Sequence, residues 1–546
     1  MKTMSIFQKK SIDALLSESK EEGVHTLKKT LGPYKLIALG LGAIIGAGLF
    51  SITGLAAGNY AGPSITLSFL IAAAGCGFAG LCYAEFASMI PVAGSAYTYS
   101  YATLGEFIAW VIGWDLVLEY AVSSATVSIS WSRYFVKLLE GFNVHLPVEL
   151  TACPWDGGWV NLPAAFIVIV MSLLLIRGTE SSSKFNSVIV IVKIAVVLIF
   201  ITLGWKYIRS ENYVPYIPKS TGNWGEFGFS GIIRAAAVVF FAFLGFDAVS
   251  TAAQETKNPK KHMPIGILGS LLIATVLYIL FAHVLTGVTN YTVFRGRDGI
   301  APVAIAIDHM GTVLPDGSIQ PAFPWLNKSI IVAILAGYSS VILVMLLGQS
   351  RIFYSMSRDG LLPKVFSDVH PKYRSTFKSN LLFLLLVGVF TLFVPAHIAG
   401  ELTSIGTLFA FIIVSIGILV MRKKQPDAPR AFKTPGVPVV PILGIAICLF
   451  MMVFLPFDTW IRLVVWMLCG HNIYVFYGSR RSKLGAKKGV RLLSVIGLAI
   501  AVFLLTLSVI HQSQLGWENA SEFTWFLLVF ALFHIGLYGT RMIKRI

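Results

Sequence analysis

Residues 264–288 read PIGILGSLLIATVLYILFAHVLTGV, twenty-five positions without a charged side chain. A helix of that length rises about 37 Å, and a bilayer's hydrocarbon core is about 30 Å thick. Comparable runs recur at about 36–57, 63–90, 106–132, 163–178, 187–205, 231–253, 329–350, 380–395, 401–421, 437–455, 459–478, 491–511 and 522–540. They are uniformly apolar, not alternating, and in lipid only helices or closed barrels satisfy the backbone. The expectation is an all-α polytopic membrane protein with about fourteen crossings. Only 13% of the residues are charged, against about a quarter in a soluble domain.

The net charge of +17 is set by where the basic residues fall. With the N-terminus inside, most of the 43 Lys and Arg lie in inner segments, which puts both termini in the cytoplasm by the positive-inside rule. RKKQPDAPRAFK (422–433) and RRSKLGAKKGVR (480–491) are then inner loops, not nucleic-acid patches. The opening residues are polar and charged, so no cleavable signal peptide is expected. Cys76, Cys82, Cys448 and Cys469 fall in spans and Cys153 stands alone outside them, which implies no disulfide framework. The triplets at Asn290, Asn327 and Asn519 fit N-glycosylation only in a eukaryotic secretory pathway. No phosphate-cradling loop is visible, which argues against an ATP-driven pump, and no HExxH or paired-cysteine metal site is visible either; a transporter, not an enzyme, is expected.

Two spans carry glycine where a membrane helix should be strongest. GAIIGAGLF (42–50) follows Gly40, and FFAFLGFDAVSTAAQE (240–255) holds Gly245 near its middle. Close packing of another helix on Gly42-x-x-x-Gly46 is one reading. The other is a helix that stops and restarts. The two spans are equivalent if the first ten helices form two five-helix repeats, and paired interruptions of this kind mark transporter sites at the midplane. A helix restarting after Gly46 offers free N–H groups and a positive dipole end, which suit a carboxylate. A half-helix ending near Phe243 and Leu244 offers unpaired carbonyls, which suit an ammonium group. Together they fit a zwitterion, with glycine letting the ligand approach the main chain.

Charges inside spans are costly and face cavities or partners. Glu119 lies near the middle of its span, with Asp115 one turn earlier on the same face. A carboxyl in apolar surroundings can be neutral near physiological pH, so Glu119 is a candidate proton carrier or a neutral structural acid. Asp247, just past the second break, is another candidate or a helix cap. Lys193 sits about 10 Å along its helix from Asn186, where it either snorkels inward or serves the transport core. Glu85 reads as an interfacial polar contact, and His283 as a core histidine.

GAIIGAGLF, GWDLVLEYA (113–121), VKIAV (192–196), FFAFLGFDAVSTAAQETKNPKKHMP and GQSRIFYSMSRDGLLP (348–363) follow one another in this order. In these stretches the chain, from about 30 to 480, resembles the amino acid–polyamine–organocation superfamily, and within it the cationic amino acid transporter family and its bacterial relatives. The resemblance implies a LeuT-type five-plus-five inverted repeat over 36–421 that moves amino acids by alternating access. A tail (1–35) would precede it, with helices 11 and 12 in 422–480 and two additional helices in 481–546.

Carried over, Ile45, Gly46, Ala47 and Gly48 would hold the substrate carboxylate. Phe241, Ala242 and Leu244 would line the ammonium side, with Phe241 as an outer gate. Lys193 would replace the sodium ion that ties helix one to helix eight in coupled relatives, with Ser339 or Ser340 accepting its hydrogen bonds. Met345 falls where room for the substrate side chain is set, and its bulk favours neutral, small to medium L-amino acids over cationic ones. The resulting expectation is a proton-coupled, sodium-independent secondary transporter of the cell membrane (the inner membrane in a bacterium). It has lipid around it, no cofactor besides the proton, no metal and no nucleic-acid partner; no residue pattern fixes an oligomeric state. A cationic amino acid or polyamine transporter, and an amino-acid receptor without flux, remain alternatives.

Overall fold

The structure, a computed structural model, describes residues 4–20, 29–295, 302–314, 319–515 and 522–543. A short helix α1 (Ile12–Lys20) precedes α2 (Pro33–Ile44), α3 (Ile65–Met89), α4 (Ala96–Thr103) and α5 (Glu106–Glu140). There follow α6 (Leu162–Ile176), α7 (Thr179–Trp205), α8 (Gly228–Val239) and α9 (Pro259–Val288). The rest of the chain forms α10 (Pro324–Arg358), α11 (Phe377–Phe393), α12 (Ala396–Lys424), α13 (Val439–Val453), α14 (Phe457–Ile473), α15 (Val490–Leu515) and α16 (Glu522–Ile543).

Among the described residues, nine helical stretches are long and apolar enough to cross a membrane. A tenth is added if α13 and the following Phe457–Arg481 stretch, bent by 112°, count as one span. The protein is therefore a helical, multi-pass membrane protein. The difference from about fourteen apolar runs has physical causes. α6 and α11 are apolar but have only 15 and 17 residues. The first stretch, Pro33–Met89, holds two runs in 57 residues, about 85 Å if straight. It is not straight. Gly62 takes φ +60° directly before Pro63, a conformation that favours glycine. α2 then runs along α9 in the same sense, with Leu36 beside Gly266, Gly40 beside Ser270, and the Tyr278 hydroxyl on the Ile44 carbonyl. α3 runs against α9, with Gly80 beside Leu271 and Phe69 against the Tyr278 ring. The chain reverses between them.

α5 and α10 form the centre, packed on each other, with α12 against α5 and α2 and α3 against α9. α15 and α16 pack chiefly on each other and reach the remainder through α14. Their outer faces, with Phe503, Val529 and Phe533 exposed, suit lipid contact.

Segments expected on the inner side gather on one face. Met4–Ser5 pairs in parallel with Ala486–Lys488. The amides of Glu106 and Phe107 donate to Gln8 O and Ile6 O at 3.0 and 2.9 Å, and Lys10 Nζ meets Asp359 Oδ1 at 2.6 Å. Glu85, at the end of α3, is fully buried and held by Arg422 at 2.8 Å, by Arg430 at 2.9 Å, and by the Thr434 amide at 2.7 Å. The expected interfacial contact is thus a doubly paired carboxylate. Asn519 lies outside the described residues.

Candidate functional site

Both glycine-bearing helices are broken. α2 stops at Ile44, and Ile45 is extended at φ −75°, ψ 104°. The Gly46 carbonyl then accepts the amides of Leu49 and Phe50, each at 3.1 Å, which opens a second half-helix through a π turn, Gly48–Ile52. Amides ahead of those two have no acceptor inside the restarted helix. In the other element α8 tightens into a 3₁₀ turn, Phe240–Phe243, opens at Leu244 with ψ 140°, and restarts as Ala248–Thr251. Gly245 makes the corner at φ +103°. A Cβ there would also stand 2.7 Å from Met345 Cε. The two breaks touch: the place a Gly48 side chain would occupy is filled by the Ala242 backbone.

Breaking α2 strands the carbonyls of its last turn. Lys193 Nζ donates to Gly42 O at 2.7 Å and Ile45 O at 2.6 Å, and Ser340 Oγ shares Gly42 O at 3.0 Å. The Tyr278 hydroxyl is shared between Ile44 O, 2.7 Å away, and Ala242 O, 2.9 Å away, so one phenol ties the breaks together. The Lys193 Nζ, fully buried, thus sits at the negative end of the α2 dipole. Ser339 and Ser340 do not accept from it, contrary to the sequence expectation. Unravelled main chain offers better acceptors there, and Ser339 donates to Leu335 O at 2.8 Å.

Between the breaks lies a small cavity lined by Ala43, Ile44, Gly46, Ala47, Gly48, Ser123, Val127, Phe241, Leu244, Val341 and Met345, with about 10 Å³ of water-sized space. That is room for roughly one water molecule, so the walls stand nearly closed. Of the residues singled out from the sequence, Gly46, Ala47, Gly48, Phe241, Leu244 and Met345 line this cavity. Ile45 and Ala242 do not line the cavity: Ile45 turns its carbonyl to Lys193, and Ala242 backs Gly48. Ser123, Val127 and Val341 are additions. Four-residue spacing could have found them, since Glu119, Ser123 and Val127 share a face of α5, and Val341 and Met345 a face of α10.

Three acids are fully buried: Asp247 directly after the second break, and Glu119 and Asp115 on α5, the latter against Gly406 of α12. The Tyr120 hydroxyl donates to Asp247 Oδ2, and Asp247 makes no cap bond to the restarted helix. Glu119 faces the Thr407 hydroxyl, which donates to Thr403 O at 3.0 Å. Neither oxygen of Asp115 is hydrogen-bonded to a described residue. His283 stands apart from the site, stacked on Tyr213 with ring centres 4.9 Å apart.

The sequence matches the amino acid permease family over residues 31–471. The chain belongs to this family. It is 45% identical to the branched-chain amino acid permease BcaP of Bacillus subtilis, over 88% of this chain and 99% of that one. It is 42% identical to the methylthioribose transporter of the same organism, with the same coverage of both chains. Cationic amino acid transporter 4, vacuolar, of Arabidopsis thaliana is 34% identical over 78% of this chain and 68% of its own. These relatives are transporters, and in this permease the broken helices lie inside the matched region.

Proposed function

We propose that this permease imports neutral, small to medium L-amino acids across the cell membrane by alternating access, driven by protons and independent of sodium. In this reading residues 36–421 form a five-plus-five inverted repeat within about fourteen crossings, with both termini in the cytoplasm. The observation that carries it is the facing pair of broken helices. Amides at Gly46, Ala47 and Gly48 suit the carboxylate, and the main chain at Phe241 and Leu244, which line the cavity, suits the ammonium group, with Ala242 behind them holding the Tyr278 hydroxyl. Phe241 covers the ligand. Lys193 supplies the fixed charge that makes sodium unnecessary, and Glu119, with Asp247 as second site, carries the proton. Neutrality of the side chain is supported by the cavity lining, which offers no carboxylate to a guanidinium, and by the branched-chain permease among the relatives.

A second reading is favoured by the methylthioribose transporter among the relatives: a neutral, non-zwitterionic thioether ligand. Uptake into proteoliposomes separates the two. The expectation is accumulation of labelled valine and leucine, accelerated by an inside-alkaline pH gradient and indifferent to sodium. Accumulation of arginine or methylthioribose alone, or dependence on sodium, contradicts it. Binding without counterflow of labelled amino acid identifies a receptor instead.

A further inference from the structure

The α5 helix carries a run of hydroxyl side chains, and all but one of those between residues 123 and 130 are spent on the helix itself. Ser124, Thr126, Ser128 and Ser130 each donate to the carbonyl four residues back, at 2.7, 2.9, 2.6 and 3.1 Å. Such back-bonding is the ordinary way to satisfy a hydroxyl in a membrane helix. Ser123 could do the same with Glu119 O, yet its Oγ makes no hydrogen bond to any described residue, though the residue is 2% exposed. It is the one polar side chain among those lining the cavity between the broken helices. A buried hydroxyl costs free energy unless something meets it.

We propose that Ser123 Oγ is a specificity contact for the substrate side chain, so that the pocket accepts threonine and serine as well as branched apolar residues. The proposal rests on the amino-acid reading above. In that reading the α-carboxylate and α-ammonium groups belong to the main-chain ends at Gly46–Gly48 and Phe241–Leu244. What remains for the side chain is the wall formed by Ser123 and Val127 of α5 and Val341 and Met345 of α10. Threonine and valine have nearly the same shape, with a hydroxyl in one where the other has a methyl group. The three apolar residues receive the methyl groups of either, and Ser123 pairs with the hydroxyl of threonine.

The test compares threonine and valine uptake efficiencies in proteoliposomes holding the full chain or its Ser123→Ala variant. The expected result is a threonine-to-valine ratio about tenfold lower in the variant, about 1.4 kcal/mol, the scale of one hydrogen bond. A second measurement needs no variant: against labelled valine, threonine should compete with the native permease at least as well as 2-aminobutyrate, which lacks only the hydroxyl. An unchanged ratio in Ser123→Ala, or equal loss of both substrates, overturns the side-chain assignment. So does a native permease that prefers valine over threonine by about a hundredfold, the value of a purely apolar pocket. If the native permease takes up neither amino acid, the underlying reading fails instead.

Discussion

Gly46 shows how one missing Cβ can serve both fold and ligand. Its amide lies ahead of the restarted helix, and an added Cβ would stand 2.6 Å from Val341 Cγ2. Gly46→Val is expected to abolish valine binding, with an overpacking cost of about 1–3 kcal/mol that leaves the detergent-purified protein monodisperse. Normal affinity in that variant removes the carboxylate assignment. At Met345, whose thioether reaches the corner at Gly245, Met345→Ser is expected to admit larger or basic side chains. An unaltered substrate profile places the pocket wall elsewhere. Glu119 is buried with a hydroxyl that is already committed to its own helix. Glu119→Gln is expected to leave valine uptake indifferent to the pH gradient, and retained acceleration takes Glu119 out of the coupling path.

At the scale of elements, the breaks were legible because two glycine-bearing spans sit at equivalent positions of the two proposed repeats, which close packing on one glycine motif does not explain. Gly245, at φ +103°, is the clearest case. What holds the breaks was not legible. Lys193 and the Ile45 carbonyl are 148 residues apart, and a carbonyl leaves no trace in a sequence, so a serine hydroxyl looked like the natural acceptor. The bridging phenol of Tyr278 likewise reads as one more aromatic in an apolar helix. Its hydroxyl serves carbonyls from both breaks. Tyr278→Phe is expected to lower stability by about 1–3 kcal/mol, because it strands buried acceptors. A thermal unfolding midpoint equal to that of the native permease would show that the tie is dispensable.

For the whole molecule, apolar runs announced a helical membrane protein, and the basic loops matched the face where the tail, the end of α3 and the 422–434 segment converge. The number of crossings was harder to read, because α6 and α11 are apolar but short. The reversal at Gly62, by contrast, falls between the runs 36–57 and 63–90 that the sequence separates. The pairing of Glu85 with Arg422 and Arg430 joins segments more than three hundred residues apart, beyond the reach of periodicity. Removing one partner of a buried pair costs about 3–5 kcal/mol, so Glu85→Gln is expected to lower the unfolding midpoint by several degrees, read by thermal denaturation in detergent.

The central claim is that two stranded helix ends hold the two poles of an amino acid. Competition against labelled valine in proteoliposomes tests it most directly, using valinamide, which lacks the carboxylate, and 3-methylbutanoate, which lacks the ammonium group. The account predicts that each competes at least about a hundredfold more weakly than valine, since each leaves one set of charge-assisted contacts unmade. Either analogue competing as well as valine would contradict it.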